Sequence, residues 1–523
     1  MLHLNSKWHH LSQGYKMKYF FTSLSLWLSI LCLVYANTPT LADKLENQWQ
    51  IYKNAQHYLY QVVSSGEKVD RTTWEKMVKP HDEWKFTDED LMNLTKMQSE
   101  RILVAKEVAY QNSVINFDAF RKLPAEEAKI IIHNFCQHMP KGGMLHVHPF
   151  GTFTRNTLTQ LMILKNPILD WIEFLNFFNN PENTCMIYPE ENNWMSTFIN
   201  GTRFSDLSPI DQKKTIDLFF LPFGNHDFTR FDSVFVFLGI PVSTYQDYLF
   251  ALENFAQKAS AQGIFYIEFT TDILTDHALN FYKNLADTYL KNFGIILKIN
   301  ESLFRLDSDE NMRKNTRTLL MLNDPILVGV DLLGNESNSP TLENGQIPYA
   351  LVGNALTNGT HKIKRTIHAG ELGDDRNPRD ALIFGVERIG HGIKLENDPI
   401  ALEYAASKKI GIEINLTSNI RLKAVNDIKQ HPFVKYLRLG IPVSLSTDDE
   451  GIFETDMNTE CEIAISQSDI TYAELKQMAI NSIETAFVGD QEKSELLSKL
   501  LQQINKFEQT LTSLILPKKK QEL

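Results

Sequence analysis

From Met144 onward the chain settles into a repeating texture: short β-rich runs, each ending in polar residues, separated by stretches of helical spacing. Eight such runs are legible, at 144–148, 264–269, 295–299, 326–332, 364–368, 388–390, 412–416 and 442–446. Strands that alternate with helices imply a parallel sheet. About eight units over this length predict an α/β fold, a (β/α)8 TIM barrel, with a doubly wound open sheet as the alternative.

Other segments fall around this repeat. Residues 43–140 carry apolar residues at helical spacing (Leu45, Trp49, Tyr52, Tyr58 and Val62, then Leu91, Leu94 and Met97) and predict an N-terminal helical extension. A third helical stretch is expected from Asp118 to His138, with Pro124 in its first turn. The barrel is expected over 141–516, interrupted by an insertion at about 150–262 after the first strand. A connection that long must carry structure of its own. Residues 517–523 form a short basic tail around Lys518, Lys519 and Lys520, read as solvated.

The N-terminus has the three-part form of an export signal: Lys16 and Lys18, an apolar run from Tyr19 to Tyr35, and small residues at Ala36 and Ala42. This predicts a signal peptide over 1–42, with Met17 as an alternative start, and a secreted or periplasmic location. An uncleaved membrane anchor is the competing reading, because the run is at the short end for a spanning helix. Of the four cysteines, Cys32 lies in that run, and Cys136, Cys185 and Cys461 remain. At most one internal disulfide can form. No Cys-x-x-Cys pair exists, which argues against thiolate ligation of a metal. The formal charge of −12 and the lack of a basic face argue against a nucleic-acid partner and for a small-molecule substrate.

The chemistry gathers at the ends of the β-rich runs, which in a (β/α)8 barrel form the catalytic face. His146 and His148 alternate along the first run and therefore share a face. The fifth run ends in His368-Ala369-Gly370-Glu371, the sixth in Gly390-His391-Gly392, and the eighth in Thr447-Asp448-Asp449. Each group has an ordinary explanation in packing, a turn or a helix cap. All four at one end of a barrel favour a metal site. The ligand set His146, His148, His368 and Asp448 is rich in nitrogen and oxygen and suits Zn2+, one per chain, with Fe2+, Mn2+ or Co2+ less well matched. Glu371 and His391 are left as acid and base.

These motifs resemble the adenosine deaminase family of metal-dependent amidohydrolases. The matching segments run in order from Met139-Pro140-Lys141-Gly142-Gly143-Met144-Leu145-His146-Val147-His148 through Gly329–Glu336, His368–Glu371 and Arg388–Gly392 to Ser446–Asp449. The helical extension, export signal and insertion are similar to the secreted, growth-factor-type branch. The resemblance implies Zn2+ on His146, His148, His368 and Asp448. It implies that Glu371 protonates purine N1, that His391 orients a water and accepts its proton, that Asp449 meets N7, and that Gly334 meets N3. The expected reaction is hydrolysis of adenosine or 2′-deoxyadenosine to inosine or 2′-deoxyinosine and ammonia. It also implies a homodimer through the N-terminal helices. The sequence departs from the family where Pro149-Phe150 follow His148, a place where an aspartate usually meets the ribose. The ribose contact is then expected from the insertion near His226-Asp227. Another aminopurine, a nucleotide or a modified adenosine is the alternative substrate, and an inactive extracellular binding module is the third reading.

Overall fold

The computed structural model describes residues 39–515 except 181, 182, 184, 199–200, 222–227 and 323. The apolar run expected to be a signal, the His226-Asp227 pair and the basic tail lie outside the described residues.

All eight expected runs are strands: β1 (Gly142–Val147), β2 (Ile264–Thr271), β3 (Ile296–Phe304), β4 (Leu327–Leu333), β5 (Lys364–Arg365 and His368–Ala369), β6 (Arg388–His391), β7 (Gly411–Ile414) and β8 (Val443–Leu445). Neighbours pair in parallel around the ring. β5 is broken at Thr366-Ile367. Its first half pairs with β4 and its second half with β6, so the two sheet segments are joined through it. A parallel bridge between Val147 and Asp448 closes β8 onto β1. The barrel is therefore complete, and the open-sheet alternative is excluded. The strands are almost wholly buried, because helices cover them outside and side chains fill them inside.

The helical extension comprises α1 (Leu41–Ser64), α2 (Arg71–Met77), α3 (Asp88–Gln111), α4 (Phe117–Arg121) and α5 (Ala125–His138). Thr40 with Asp43 and Thr87 with Asp90 form capping boxes that start α1 and α3. The single helix expected from Asp118 to His138 is in fact two, parted at Lys122–Pro124. Proline disfavours helical backbone in the residue before it, and Pro124 caps α5 at φ −51° instead of continuing the turn. The extension lies on the barrel. Arg71 of α2 is shared between Glu343 and the buried Asp380, and Trp74 donates to Asp380. A disulfide from Cys136 in α5 to Cys461 in the helix Met457–Gln467 ties the extension to the barrel and leaves Cys185 free.

Among the described residues the insertion carries six α-helices and a small antiparallel ladder, Ile168–Leu169 with Thr202–Arg203. Its core is aromatic, with Trp171 fully buried and edge-on to Trp194. It rests against the loop after β8: Phe231 stacks on Phe453, and the Leu221 amide donates to the Ile452 carbonyl. It therefore sits beside the C-terminal ends of the strands.

Candidate metal centre and active site

Every residue predicted for the site from the sequence, apart from Gly334, converges on one buried spot at the C-terminal end of the barrel. One ligating atom each from His146, His368, His391 and Asp448 falls within 4.8 Å of the others, and His148 joins Asp448 and Asp449 in an adjoining group. His146 Nε2 and His148 Nε2 lie 3.6 and 3.2 Å from Asp448 Oδ1. His391 Nε2 lies 3.9 Å from Asp448 Oδ2. The imidazoles of His146 and His368 are 4.4 Å apart between ring centres. Gly334 opens the loop after β4 in the left-handed region at φ 110°.

A fixed partner stands behind each of His146 and His368. His146 Nδ1 bonds Glu413 Oε2 at 2.8 Å, and Glu413 is held in turn by Thr366 and Arg388. His368 Nδ1 bonds Asp331 Oδ1 at 3.0 Å, and Asp331 also accepts from Thr270. With both Nδ1 atoms engaged, the Nε2 atoms face inward as lone-pair donors. The glutamate loop is likewise held: Glu336 accepts from the amides of Gly370 and Glu371 and from Asn377. Arg305 donates to the His368 carbonyl from below.

Electrostatics sort these groups. Burial disfavours a charged Glu371, and the neighbouring Asp448 and Glu336 add to this, so its pKa rises well above the usual carboxylate range. Burial and Asp448 raise Asp449 in the same way. Burial alone would lower His146, but Asp448 and Glu413 outweigh it and lift it well above ordinary histidine. Burial, helped by His146, depresses His391. The buried atoms His146 Nε2, His391 Nε2, Glu371 Oε1 and Asp449 Oδ1 have no hydrogen-bond partner among the described residues. Unpartnered buried polar atoms are costly. Here they point to one shared space, and their donor set fits a divalent cation with a small polar ligand beside it.

The adenosine deaminase sequence family matches residues 209–503, more than half of the chain. The chain belongs to the adenosine deaminase family. β1, with His146 and His148, lies before the matched stretch and enters the family site through geometry. An adenosine deaminase of Photorhabdus laumondii is 35% identical over 183 residues, covering 35% of this chain and 53% of its own length. The chain thus spans about half the length of that curated relative. Among solved structures, an adenine deaminase from Arthrobacter aurescens superposes with a TM-score of 0.54 at 21% identity, covering 70% of this chain and 99% of that one. A zinc-bound amidohydrolase from Burkholderia ambifaria gives 0.52 at 18%, covering 75% and 96%. At these identities the structural likeness establishes the shared barrel fold.

Sequence reasoning missed the supporting groups Glu413, Asp331, Asn419, Glu336 and Arg305. For Glu413 a signal existed: a carboxylate between Ile412 and Ile414 in a buried strand requires a partner. Asp331 likewise sits between Val330 and Leu332 in β4.

Proposed function

We propose that this protein is a zinc-dependent hydrolase that deaminates adenosine and 2′-deoxyadenosine to inosine and 2′-deoxyinosine with release of ammonia. The observation that carries the reading is the buried convergence of His146, His368, His391 and Asp448, with His148 against Asp448, beside Glu371, whose carboxyl burial lifts well above the usual range. One Zn2+ per chain would be held by His146, His148, His368 and Asp448. When bound, such an ion lowers the pKa of water toward 7 and makes hydroxide available at neutral pH. Glu371 delivers its proton to purine N1, which makes C6 electrophilic. His391 Nε2 faces the same space and positions the oxygen that adds to C6. Asp449, whose carboxyl burial and Asp448 lift well above the usual range, meets N7, and the backbone at Gly334 meets N3. Collapse at C6 expels ammonia.

A second substrate reading rests on Pro149-Phe150. Phe150 packs edge-on to Phe153 and against Tyr248, so the residues after His148 offer an apolar wall where a ribose would need a polar partner. The adenine deaminase of like fold supports another aminopurine, and the same apolar wall motivates a nucleotide or a modified adenosine. The test is a panel of adenosine, 2′-deoxyadenosine, adenine, AMP and N6-methyladenosine with zinc-replete protein, followed by loss of adenine absorbance. Turnover of adenosine supports the first reading, turnover of another member alone supports the second, and none at all would leave a binding module.

Export and self-association belong to the same proposal. The Cys136–Cys461 disulfide supports an oxidising compartment. α1 begins at Leu41 under the Thr40 cap, so cleavage after Ala36 leaves that cap intact. α3 exposes Met92, Leu103 and Val104 by about two thirds each, a face suited to a second copy. Light scattering of Leu103→Glu should report a monomer if that face pairs.

A further inference from the structure

A line of buried polar side chains runs outward behind His391. His391 Nδ1 lies 2.9 Å from Asn419 Nδ2, Asn419 Oδ1 lies 3.1 Å from His431 Nε2, and the Phe433 amide nitrogen lies 3.2 Å from His431 Nδ1. The far end fixes the direction of the whole line. A backbone N–H can only donate, so His431 Nδ1 accepts. Burial keeps His431 neutral, pushing its pKa down to about 3. A neutral imidazole that accepts at Nδ1 carries its proton on Nε2. That proton goes to Asn419, and only the oxygen of the amide can take it. The Asn419 NH2 must then face His391, where it can only donate. Asn415 Nδ2, 3.4 Å from the same nitrogen, is a second donor. Glu371 Oε1 is 3.7 Å away, beyond hydrogen-bond reach.

We propose that Asn419 and His431 are positioning residues that lock His391 in its Nε2–H tautomer, so that His391 donates a hydrogen bond toward the reacting oxygen and does not take its proton. The role, though not the tautomer, rests on the deaminase reading above. Nε2 is buried, has no protein partner and faces the metal centre. The resemblance implies a proton acceptor there instead. With His391 as donor, proton traffic falls to Glu371. It gives its proton to N1 as the C6–O bond forms, and it takes the proton released when the water O–H bond breaks. It then passes that proton to the departing amine as the C6–N bond breaks, and it recovers the last proton from the C6 hydroxyl as the C6=O bond forms, so it ends protonated as it began. Protons balance through one carboxyl.

The test uses protein labelled with 15N-histidine, with and without zinc. Long-range 1H–15N correlation reads each tautomer, and a His391→Gln spectrum assigns the signal. The expected result is a proton on His391 Nε2 in both states. Asn419→Asp presents an acceptor to Nδ1 and should move the proton there. It should keep zinc and KM while lowering kcat by about 100-fold. His431→Gln retains an N–H toward Asn419 and should keep most of the activity, whereas His431→Phe should not. A wild-type spectrum with the proton on Nδ1, or an Asn419→Asp enzyme with undiminished kcat, overturns the proposal. The wild-type spectrum decides even if a variant misfolds. Lack of turnover on every substrate would sink the deaminase reading while leaving the tautomer measured.

Discussion

Gly390 offers a sharp test of the metal centre because it acts without touching a ligand's chemistry. A Cβ added there would stand 2.6 Å from His146 Cε1 and 2.9 Å from Nδ1. Ordinary contact starts at 3.4 Å, so the ring must retreat by about 0.8 Å, which is 3.4 minus 2.6. The backbone of β6 cannot yield easily, since β5 and β7 pair with it on both sides. A retreat of that size disturbs either the 2.8 Å bond to Glu413 or the aim of Nε2. Losing such a partner costs about 10- to 100-fold in metal affinity, or about 1.4–2.8 kcal/mol. Gly390→Ala should therefore bind Zn2+ that much more weakly in competition with a chromophoric chelator, with an unchanged far-ultraviolet circular dichroism spectrum. Gly489→Ala is the control, because an added Cβ meets nothing within 4 Å there. A folded Gly390→Ala protein that holds Zn2+ within about twofold of wild type would refute the reasoning.

Glu371→Gln should retain zinc and lose about 10²–10⁴-fold in kcat, whereas His368→Ala should lose zinc as well; metal analysis beside steady-state kinetics separates them. Glu460 is buried under Thr417 and Thr455, and burial raises its pKa from 4.5 to about 7. Below pH 4.5 both folded and unfolded states hold the proton. Between 4.5 and 7 only the folded state does, so stability falls as pH rises, by up to about 3 kcal/mol in all. Glu460→Gln mimics the protonated acid at every pH, so its urea midpoint should fall less than that of wild type between pH 5 and 8. Equal slopes would count against the assignment. Cys136→Ser should lower stability by about 2–5 kcal/mol in urea titration, and dithiothreitol should do the same to wild type but nothing further to the variant.

The barrel was legible because its strands are short, apolar and punctuated by polar ends, and all eight fell where that texture put them. The residues proposed as ligands were legible for a related reason. His146 and His148 at alternate positions share a face in any strand, and His368, His391 and Asp448 each end a run. What stayed hidden was pairing across strands. Glu413 belongs to β7 and serves a histidine of β1; Asp331 belongs to β4 and serves one of β5. No spacing in a single sequence links such residues. The Cys136–Cys461 bond was hidden likewise: the count allowed one pair among three cysteines and could not choose it. The break at Pro124 was legible in principle, since the restriction on the preceding residue is local.

The backbone at the site carries the same message as its hydrogen bonds. His391 and Asp448 are non-glycine residues in the left-handed region, at φ 62° and 60°. Such conformations cost about 1–3 kcal/mol and persist only when the surroundings impose them. Here they turn two strand ends inward at the rim, with the Asp448 amide pinned to the His146 carbonyl. The partner behind each turned or straight histidine then decides what it can do. A carboxylate behind His146 and another behind His368 draw the proton to Nδ1 and leave a lone pair facing the centre, which suits them to the ligand role proposed above. An amide N–H behind His391, in the orientation proposed above, would leave the proton on Nε2 and make it a donor. Three identical side chains around one space are thus given two chemistries by residues one step further out. Exchanging an amide for a carboxylate at position 419 is therefore a larger change to the site than its single atom suggests.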